Sequence, residues 1–272
     1  MIRFIDEHPG PGRLGRHVEH DERSRAFPVS EDLLPATYVS ATHKIDIPVL
    51  DQGQLGACTG NAAEALAGSD PIYPAVPLDL PARPTADPVK DEAQAVAIYS
   101  AATRIDNIHG QYPPLDTGST GLAVAKVAKK LGLISGYQHA FSLDATLKAL
   151  SVMPLIVGLH WYEGFDHPDA TGHVTIGGSV RGGHEFLLYG IDATQRTVLA
   201  RNSWGLVYGV EGCFNFSWDD LGQLLGEQGD ATVFVPLSSP APTPTPHTTA
   251  TPEAVDRALA AAFETWRQAR GV

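Results

Sequence analysis

The sequence is poor in cysteine and contains no long apolar run. Among its 272 residues there are only two cysteines, Cys58 and Cys213, so at most one disulfide could form and the fold does not depend on disulfides. No apolar run approaches the ~18 residues that a membrane-spanning helix needs. Residues 1–9 place charge and proline where a secretory signal has its apolar segment, which indicates a cytoplasmic protein or one released by a non-Sec route.

Positive charge is also scarce. Lys and Arg number 19 against 31 Asp and Glu, a net charge of −12, and no Lys or Arg occurs from residue 202 to residue 256. Such a chain lacks the positive surface that holds nucleic acid or an anionic membrane. The composition therefore argues against a nucleic-acid partner and predicts that one end of the fold is acidic.

The chain divides into four parts by composition. Residues 1–35 mix charge and glycine without apolar periodicity, which predicts an extended arm on the surface. Residues 36–236 form the globular domain. Residues 237–251 alternate proline with small polar residues and form a linker. Residues 252–272 are predicted to form an amphipathic helix that docks on a partner or on the core, through a stripe of Val255, Leu259, Ala262, Phe263 and Trp266.

The globular domain changes pattern along its length. Helical spacing is found in residues 58–66, 91–105 and 122–131, whereas the six prolines of residues 69–90 predict an irregular loop. After Pro154, residues 155–159, 185–189, 197–200, 210–216 and 231–235 have the composition of strands. The pattern predicts an α+β fold, helical in its first half and sheet in its second.

A set of polar residues has the composition of a nucleophilic site. Cys58 opens the first helix, where a thiol pKa is lowered. Six residues upstream, Gln52 can turn its amide toward the same point and stabilise an oxyanion together with the Cys58 N–H. His184 follows two glycines at the start of a strand pattern and is the candidate base, and Asn202 could orient its imidazole.

These motifs resemble those of the papain-like cysteine peptidase family. The matching pieces are residues 51–58 (DQGQLGAC), Gly183 with His184, and residues 202–205 (NSWG), in the family's order and over roughly residues 36–235. The resemblance implies a two-lobe fold, with the active site in the cleft between a helical lobe and an antiparallel sheet lobe. It implies peptide hydrolysis by the triad of Cys58, His184 and Asn202, with Gln52 in the oxyanion hole.

Further residue roles are carried over by position. Gly118 and Ser119 lie in the segment that pairs with extended substrates in the family, although a plain helix-entry turn explains the same sequence equally well. Glu185 stands where the family lines the pocket for the second residue before the cut, and predicts a preference for Arg or Lys there. Trp204 covers the orienting asparagine. The arm precedes the domain directly and no separate propeptide is visible, so the arm is expected to cover the cleft.

The sequence departs from many family members at two positions. Leu55 replaces the usual disulfide cysteine, and Thr59 replaces the tryptophan after the nucleophile, which leaves the leaving-group side undefined. Two alternative functions use the same residues: acyl transfer to an amine, and a catalytically silent peptide-binding module. Cys213 alternates like a buried strand residue and is not the candidate nucleophile. His17 and His20 lack the spacing of a metal site, so neither a metal nor another cofactor is expected.

Overall fold

A computed structural model of the protein describes residues 12–237, apart from residue 20 and residues 30–33, together with Gly10. The predicted C-terminal helix, residues 252–272, lies outside the described residues, and so does the predicted linker except for residue 237. Parts of the predicted arm, residues 1–9, 11, 20 and 30–33, lie outside them as well.

The helical part packs around the first helix. All residues of α1 are buried, and α3 and α4 pack against it. Asp87 caps α3 by accepting from the N–H groups of Val89 and Lys90, and Thr120 caps α4 by accepting from that of Ala123. The helices are α1 (Cys58–Ala67), α2 (Ile72–Ala75), α3 (Pro88–Ala102), α4 (Gly121–Lys130), α5 (Leu143–Leu150) and α6 (Trp218–Gly226), with short 3₁₀ turns at Glu22–Ala26 and Glu163–Asp166.

Within the described residues the sheet has seven strands, all antiparallel to their neighbours. Its order is β2-β7-β3-β4-β5-β6, and β1 pairs with the far end of β4. The strands are β1 (Ala41–Thr42), β2 (Gly136–His139), β3 (Leu155–Tyr162), β4 (Val180–Asp192), β5 (Thr197–Arg201), β6 (Cys213–Ser217) and β7 (Asp230–Val235). The central strands β3 and β4 supply most of the apolar face that packs on the helices.

The α+β class predicted from the sequence is confirmed, and three local predictions are wrong. Within residues 69–90 the chain forms the short helix α2 rather than only loop. Helix α3 begins at Pro88, because Asp87 caps it and proline suits the first helical turn. Strand β6 begins at Cys213 rather than residue 210, because Gly209, Glu211 and Gly212 have φ of 59°, 52° and 80° and form turns instead.

Helix α1 joins the two parts of the fold by packing against both β3 and β4. Helix α1, which begins at Cys58, therefore lies at the boundary between the helical and sheet parts. None of the helices in residues 12–237 is both long enough and apolar enough to cross a lipid bilayer.

Candidate active site

Cys58 is the first residue of α1 and is fully buried. The preceding residue, Ala57, has no side-chain oxygen, so the cap residue accepts no hydrogen bond from the first N–H groups of the helix. The positive end of the helix dipole favours the thiolate form of a cysteine at this position. Helix α1 packs against β4, the strand that carries His184.

His184 and Asn202 are brought together by the pairing of β4 with β5. The His184 Nε2 and Asn202 Oδ1 atoms are 2.7 Å apart, and the Ser203 N–H donates to the same Asn202 oxygen at 2.8 Å. The other ring nitrogen, His184 Nδ1, has no hydrogen-bond partner among the described residues. This arrangement orients the imidazole and leaves Nδ1 available for proton transfer.

Two tryptophans enclose the histidine ring. The ring centroids of Trp161 and Trp204 lie 4.8 and 5.0 Å from that of His184. Complete burial lowers the His184 pKa to about 4; the hydrogen bond to Asn202 opposes this shift, and the nearby positive charge of Arg181 adds to it. The imidazole is therefore neutral near pH 7 in the enclosed site.

Gln52 is fixed by hydrogen bonds on both sides of its amide. Its Oε1 accepts from the Ser203 hydroxyl at 2.6 Å, while its Nε2 donates to the carbonyl oxygens of Leu55 at 2.7 Å and Arg13 at 3.1 Å. Trp204 Nε1 donates to the same Arg13 carbonyl at 3.2 Å. The amide predicted to hold an oxyanion thus binds a main-chain carbonyl.

That carbonyl belongs to the arm, which lies between the Gly118–Ser119 segment and the start of β4. The Ser119 N–H donates to the Gly15 carbonyl at 2.9 Å, and the His17 N–H donates to the Ser119 carbonyl at 2.8 Å. On the opposite side, the N–H groups of Gly15 and Arg16 both donate to the Gly183 carbonyl. The arm residues around Gly15 are therefore held on both sides, and the expectation of a surface position is wrong for Leu14, which is 1% exposed.

Two carboxylates meet beside the arm because of the strand register. Gly158 on β3 pairs with Glu185 on β4 and with Asp230 on β7, so the three residues form one row across the sheet. Glu185 is completely buried, which places its side chain inside the fold rather than in solvent. Gly158 lacks a side chain and leaves space between the two acids.

The side chain of Arg16 occupies this space. Its Nη2 atom forms an ion pair with Asp230 and donates to the Gln228 carbonyl at 2.8 Å. Burial and the neighbouring Asp230 raise the pKa of Glu185, and the Arg16 guanidinium opposes that shift. The pocket therefore holds the Arg16 guanidinium in direct contact with Asp230 and close to Glu185.

The structure adds residues to which the motifs assign no role. Asp230, Trp161 and Ser203 take part through contacts between distant segments, and only Ser203 lies within a motif. Cys213 is half-buried on β6 beside Tyr189 and Arg201. Within the described residues, no group of three or more His, Cys, Asp or Glu side chains is arranged to hold a metal ion.

Comparison by sequence finds no protein-family model and no curated protein that matches this chain. Comparison by structure finds cysteine proteases. Xylellain from Xylella fastidiosa aligns with a TM-score of 0.61 at 18% identity, over 86% of this chain and all of the other. A procathepsin B from Trypanosoma congolense aligns with a TM-score of 0.55 at 11% identity, over 83% of this chain and 87% of the other.

A third similar structure is the proform of Amb a 11, a cysteine protease and ragweed pollen allergen. It aligns with a TM-score of 0.52 at 14% identity, over 80% of this chain and 72% of the other. At these identities the likeness establishes the arrangement of helices and strands and not the chemistry of individual residues. The protein has the papain-like fold of the cysteine peptidases.

Proposed function

We propose that the protein is a cysteine peptidase that hydrolyses peptide bonds. The observation that carries this proposal is the Gln52 amide, which donates to a main-chain carbonyl lying in the cleft. A peptide carbonyl at this position meets the donor that an oxyanion requires. The start of α1, with Cys58 as its first residue, and the His184–Asn202 pair lie at the same boundary of the fold.

Each residue has a role in a two-step reaction. His184 Nδ1 takes the proton of the Cys58 thiol, the resulting thiolate attacks the scissile carbonyl, and Gln52 with the Cys58 N–H stabilises the oxyanion. The C–N bond breaks as His184 gives its proton to the leaving amine. In the second step His184 takes a proton from water, the hydroxide adds to the thioester, and the Cys58 thiolate leaves. Asn202 holds the imidazole through both steps, and Ser203 holds Gln52.

The arm blocks the cleft in this proposal. It occupies the oxyanion donor with the Arg13 carbonyl and the acidic pocket with the Arg16 side chain. The acidic pocket, formed by Glu185 and Asp230, would receive the second residue before the cut. In a substrate, the residue in this pocket therefore comes before the scissile carbonyl in the sequence. Arg16 instead follows Arg13, so the arm runs opposite to a substrate.

The pocket formed by Glu185 and Asp230 selects a basic side chain. Arg16 shows which group fits: a guanidinium that pairs with Asp230 and bonds to the Gln228 carbonyl. An apolar side chain in the same place would leave the fully buried Glu185 and the half-buried Asp230 without a cation, which is costly. The expected substrates are therefore peptides or proteins with Arg or Lys two residues before the cut.

An active-site label tests the proposal. A peptidyl epoxide with Arg at the pocket position is incubated with the full chain, and the labelled residue is identified by peptide mapping. We expect modification of Cys58 and not of Cys213, and loss of peptide hydrolysis in Cys58→Ser with an unchanged melting temperature. Cys213→Ser is the matched control and retains hydrolysis. Equal labelling of both thiols, or hydrolysis by Cys58→Ser, would contradict the proposal.

A further inference from the structure

Arg181 is a buried arginine on the leaving-group side of the cleft. This inference rests on the proposed peptidase function, which makes the acidic pocket the acyl side. The leaving group then lies on the other side of Gln52, next to Trp204. Arg181 of β4 is on that side, three residues before His184, and is 3% exposed.

The guanidinium of Arg181 is fixed from behind. Its Nη1 atom lies 2.6 Å from Asp166 Oδ1, and the side chain of Asp166 is itself 6% exposed. The same carboxylate oxygen accepts from Trp161 Nε1 at 2.8 Å. A guanidinium anchored in this way presents its remaining donors to the cleft in a constant position, because its planar fork does not rearrange.

The group that Arg181 binds is a main-chain carbonyl. Its Nη2 atom donates to the Gly12 carbonyl at 3.1 Å. Gly12 is adjacent in sequence to Arg13, whose carbonyl accepts from Gln52. Arg181 and Gln52 therefore hold two successive carbonyls of the chain that lies in the cleft.

We propose that Arg181 binds the main-chain carbonyl of the first residue after the cleaved bond. In the arm, Arg181 binds the carbonyl of Gly12, the residue before the one whose carbonyl is held by Gln52. In a substrate, which runs in the opposite direction, the residue at Arg181 would come after the one held by Gln52. Successive carbonyls are one residue apart in either direction, so a donor placed to reach one also reaches the other. Arg181 is thus a binding residue for the leaving group, on the side of the cleft that the replacement of tryptophan by Thr59 leaves undefined in the sequence.

Partition of the acyl-enzyme between two amines tests this role. A peptidyl arylamide with Arg at the acidic pocket forms the thioester, and the arylamine is released. The thioester is then offered leucinamide or isoamylamine at equal free-base concentration. The two amines share a side chain, but only leucinamide carries the carbonyl that Arg181 would bind. The amine nitrogen attacks the thioester carbonyl, His184 takes its proton, and the C–S bond breaks to release the thiolate.

Wild type should favour leucinamide over isoamylamine. The preference should fall roughly 10- to 100-fold, the range for a lost hydrogen bond to a charged donor, when Arg181 is removed. The test variant is Arg181→Met combined with Asp166→Asn, so that no buried carboxylate remains without its cation. Asp166→Asn alone keeps Arg181 with a neutral acceptor behind it, so its preference should fall less than that of the double variant. Arg83 lies in the loop after α2 and donates to the main-chain carbonyls of Tyr73 and Val76. Arg83→Met should therefore keep the preference for leucinamide.

The ratio is insensitive to other effects of the substitution. Both amines use the same thioester and the same base, so a change in the His184 pKa cancels. Arg181→Lys keeps the charge without the planar fork, and an intermediate preference is expected from this milder variant. A preference that survives in both Arg181 variants, or no preference in wild type, would overturn the role of Arg181. Absence of arylamine release would instead contradict the peptidase function on which it rests.

Discussion

The arm can be displaced by a single methyl group at Gly15. A Cβ atom built on Gly15 would lie within 3.0 Å of three backbone atoms of Gly56, including its carbonyl oxygen. Gly56 has little freedom to move, because its N–H donates to the buried Asp116 carboxylate at 2.9 Å. In Gly15→Ala the arm must therefore leave its position, and not Gly56.

The size of the effect follows from the contacts at this point. Overpacking of this kind costs typically 1–3 kcal/mol. The displacement also strains the bonds of Gly15 with Gly183 and Ser119, each worth about 1 kcal/mol. A loss of about 2 kcal/mol from the closed form raises the fraction of open cleft about 30-fold, as long as the closed form predominates.

The rate of Cys58 labelling by the epoxide measures access to the cleft. Gly15→Ala should be labelled about 30-fold faster than wild type, and its arylamide hydrolysis should rise by a similar factor. Gly226→Ala is the matched control, since a Cβ at Gly226 meets no atom within 4 Å, and it should behave as wild type. Equal rates for Gly15→Ala and wild type would refute the blocking role of the arm.

Three further results are expected. Replacement of Gln52 by Ala should lower the turnover of arylamides roughly 10- to 1,000-fold at a temperature where the variant is fully folded; unchanged turnover would remove Gln52 from the oxyanion hole. Glu185→Gln and Asp230→Asn should each reduce the preference for Arg over Leu two residues before the cut, by roughly 5- to 150-fold in the ratio of kcat/KM; a preference intact in both variants would contradict the acidic pocket. Acidification from about pH 6.5 toward pH 4 should favour the open cleft if departure of the arm from Gly183, the neighbour of His184, admits water to the ring, because burial holds the His184 pKa at about 4 and hydration would raise it so that the open form binds the proton. Tryptophan fluorescence should report this opening in wild type and not in His184→Gln, and a signal that does not depend on pH in wild type would contradict the coupling.

The parts of the site that the sequence predicts are those encoded locally. Cys58 is the first residue of α1, and Gln52 lies six residues earlier, so the turn between them fixes their relation. His184 lies on β4 and Asn202 directly follows β5, and because these two strands pair through one tight turn, the contact follows once the strands are recognised. These residues carry their structural context in the neighbouring sequence.

The acidic pocket shows what local sequence does not contain. The family resemblance assigns Glu185 by its position next to His184, but Asp230 begins a strand 45 residues later. The two acids meet because β3 separates β4 from β7 and places Gly158 between them. That strand order is a property of the whole sheet. No spacing along the chain identifies it, and the glycine at the centre becomes meaningful only when its two neighbours are known.

The glycines of the arm indicate a bound segment, although the overall composition of the arm does not. Its charges and missing periodicity predict a solvated segment, yet a side chain at any of Gly10, Gly12 or Gly15 would meet Arg181, Trp204 or Gly56 respectively. Glycine recurs where the backbone approaches the cleft closely, which is a reason for glycine distinct from flexibility. Read in this way, the spacing predicts a bound segment.

The reversed direction of the arm explains how one cleft can hold a peptide without cutting it. Cleavage requires the nitrogen after the scissile carbonyl to leave on the side of Trp204 and Arg181. In the arm the nitrogen after the Arg13 carbonyl belongs to Leu14, which leads toward the acidic pocket instead. The arm is bound by hydrogen-bond donors and charges, those of Gln52, Arg181 and the acidic pair, and such groups can hold a chain that runs in either direction. Departure of the amine requires one direction only. In the proposed mechanism, therefore, the direction of the chain separates binding from turnover.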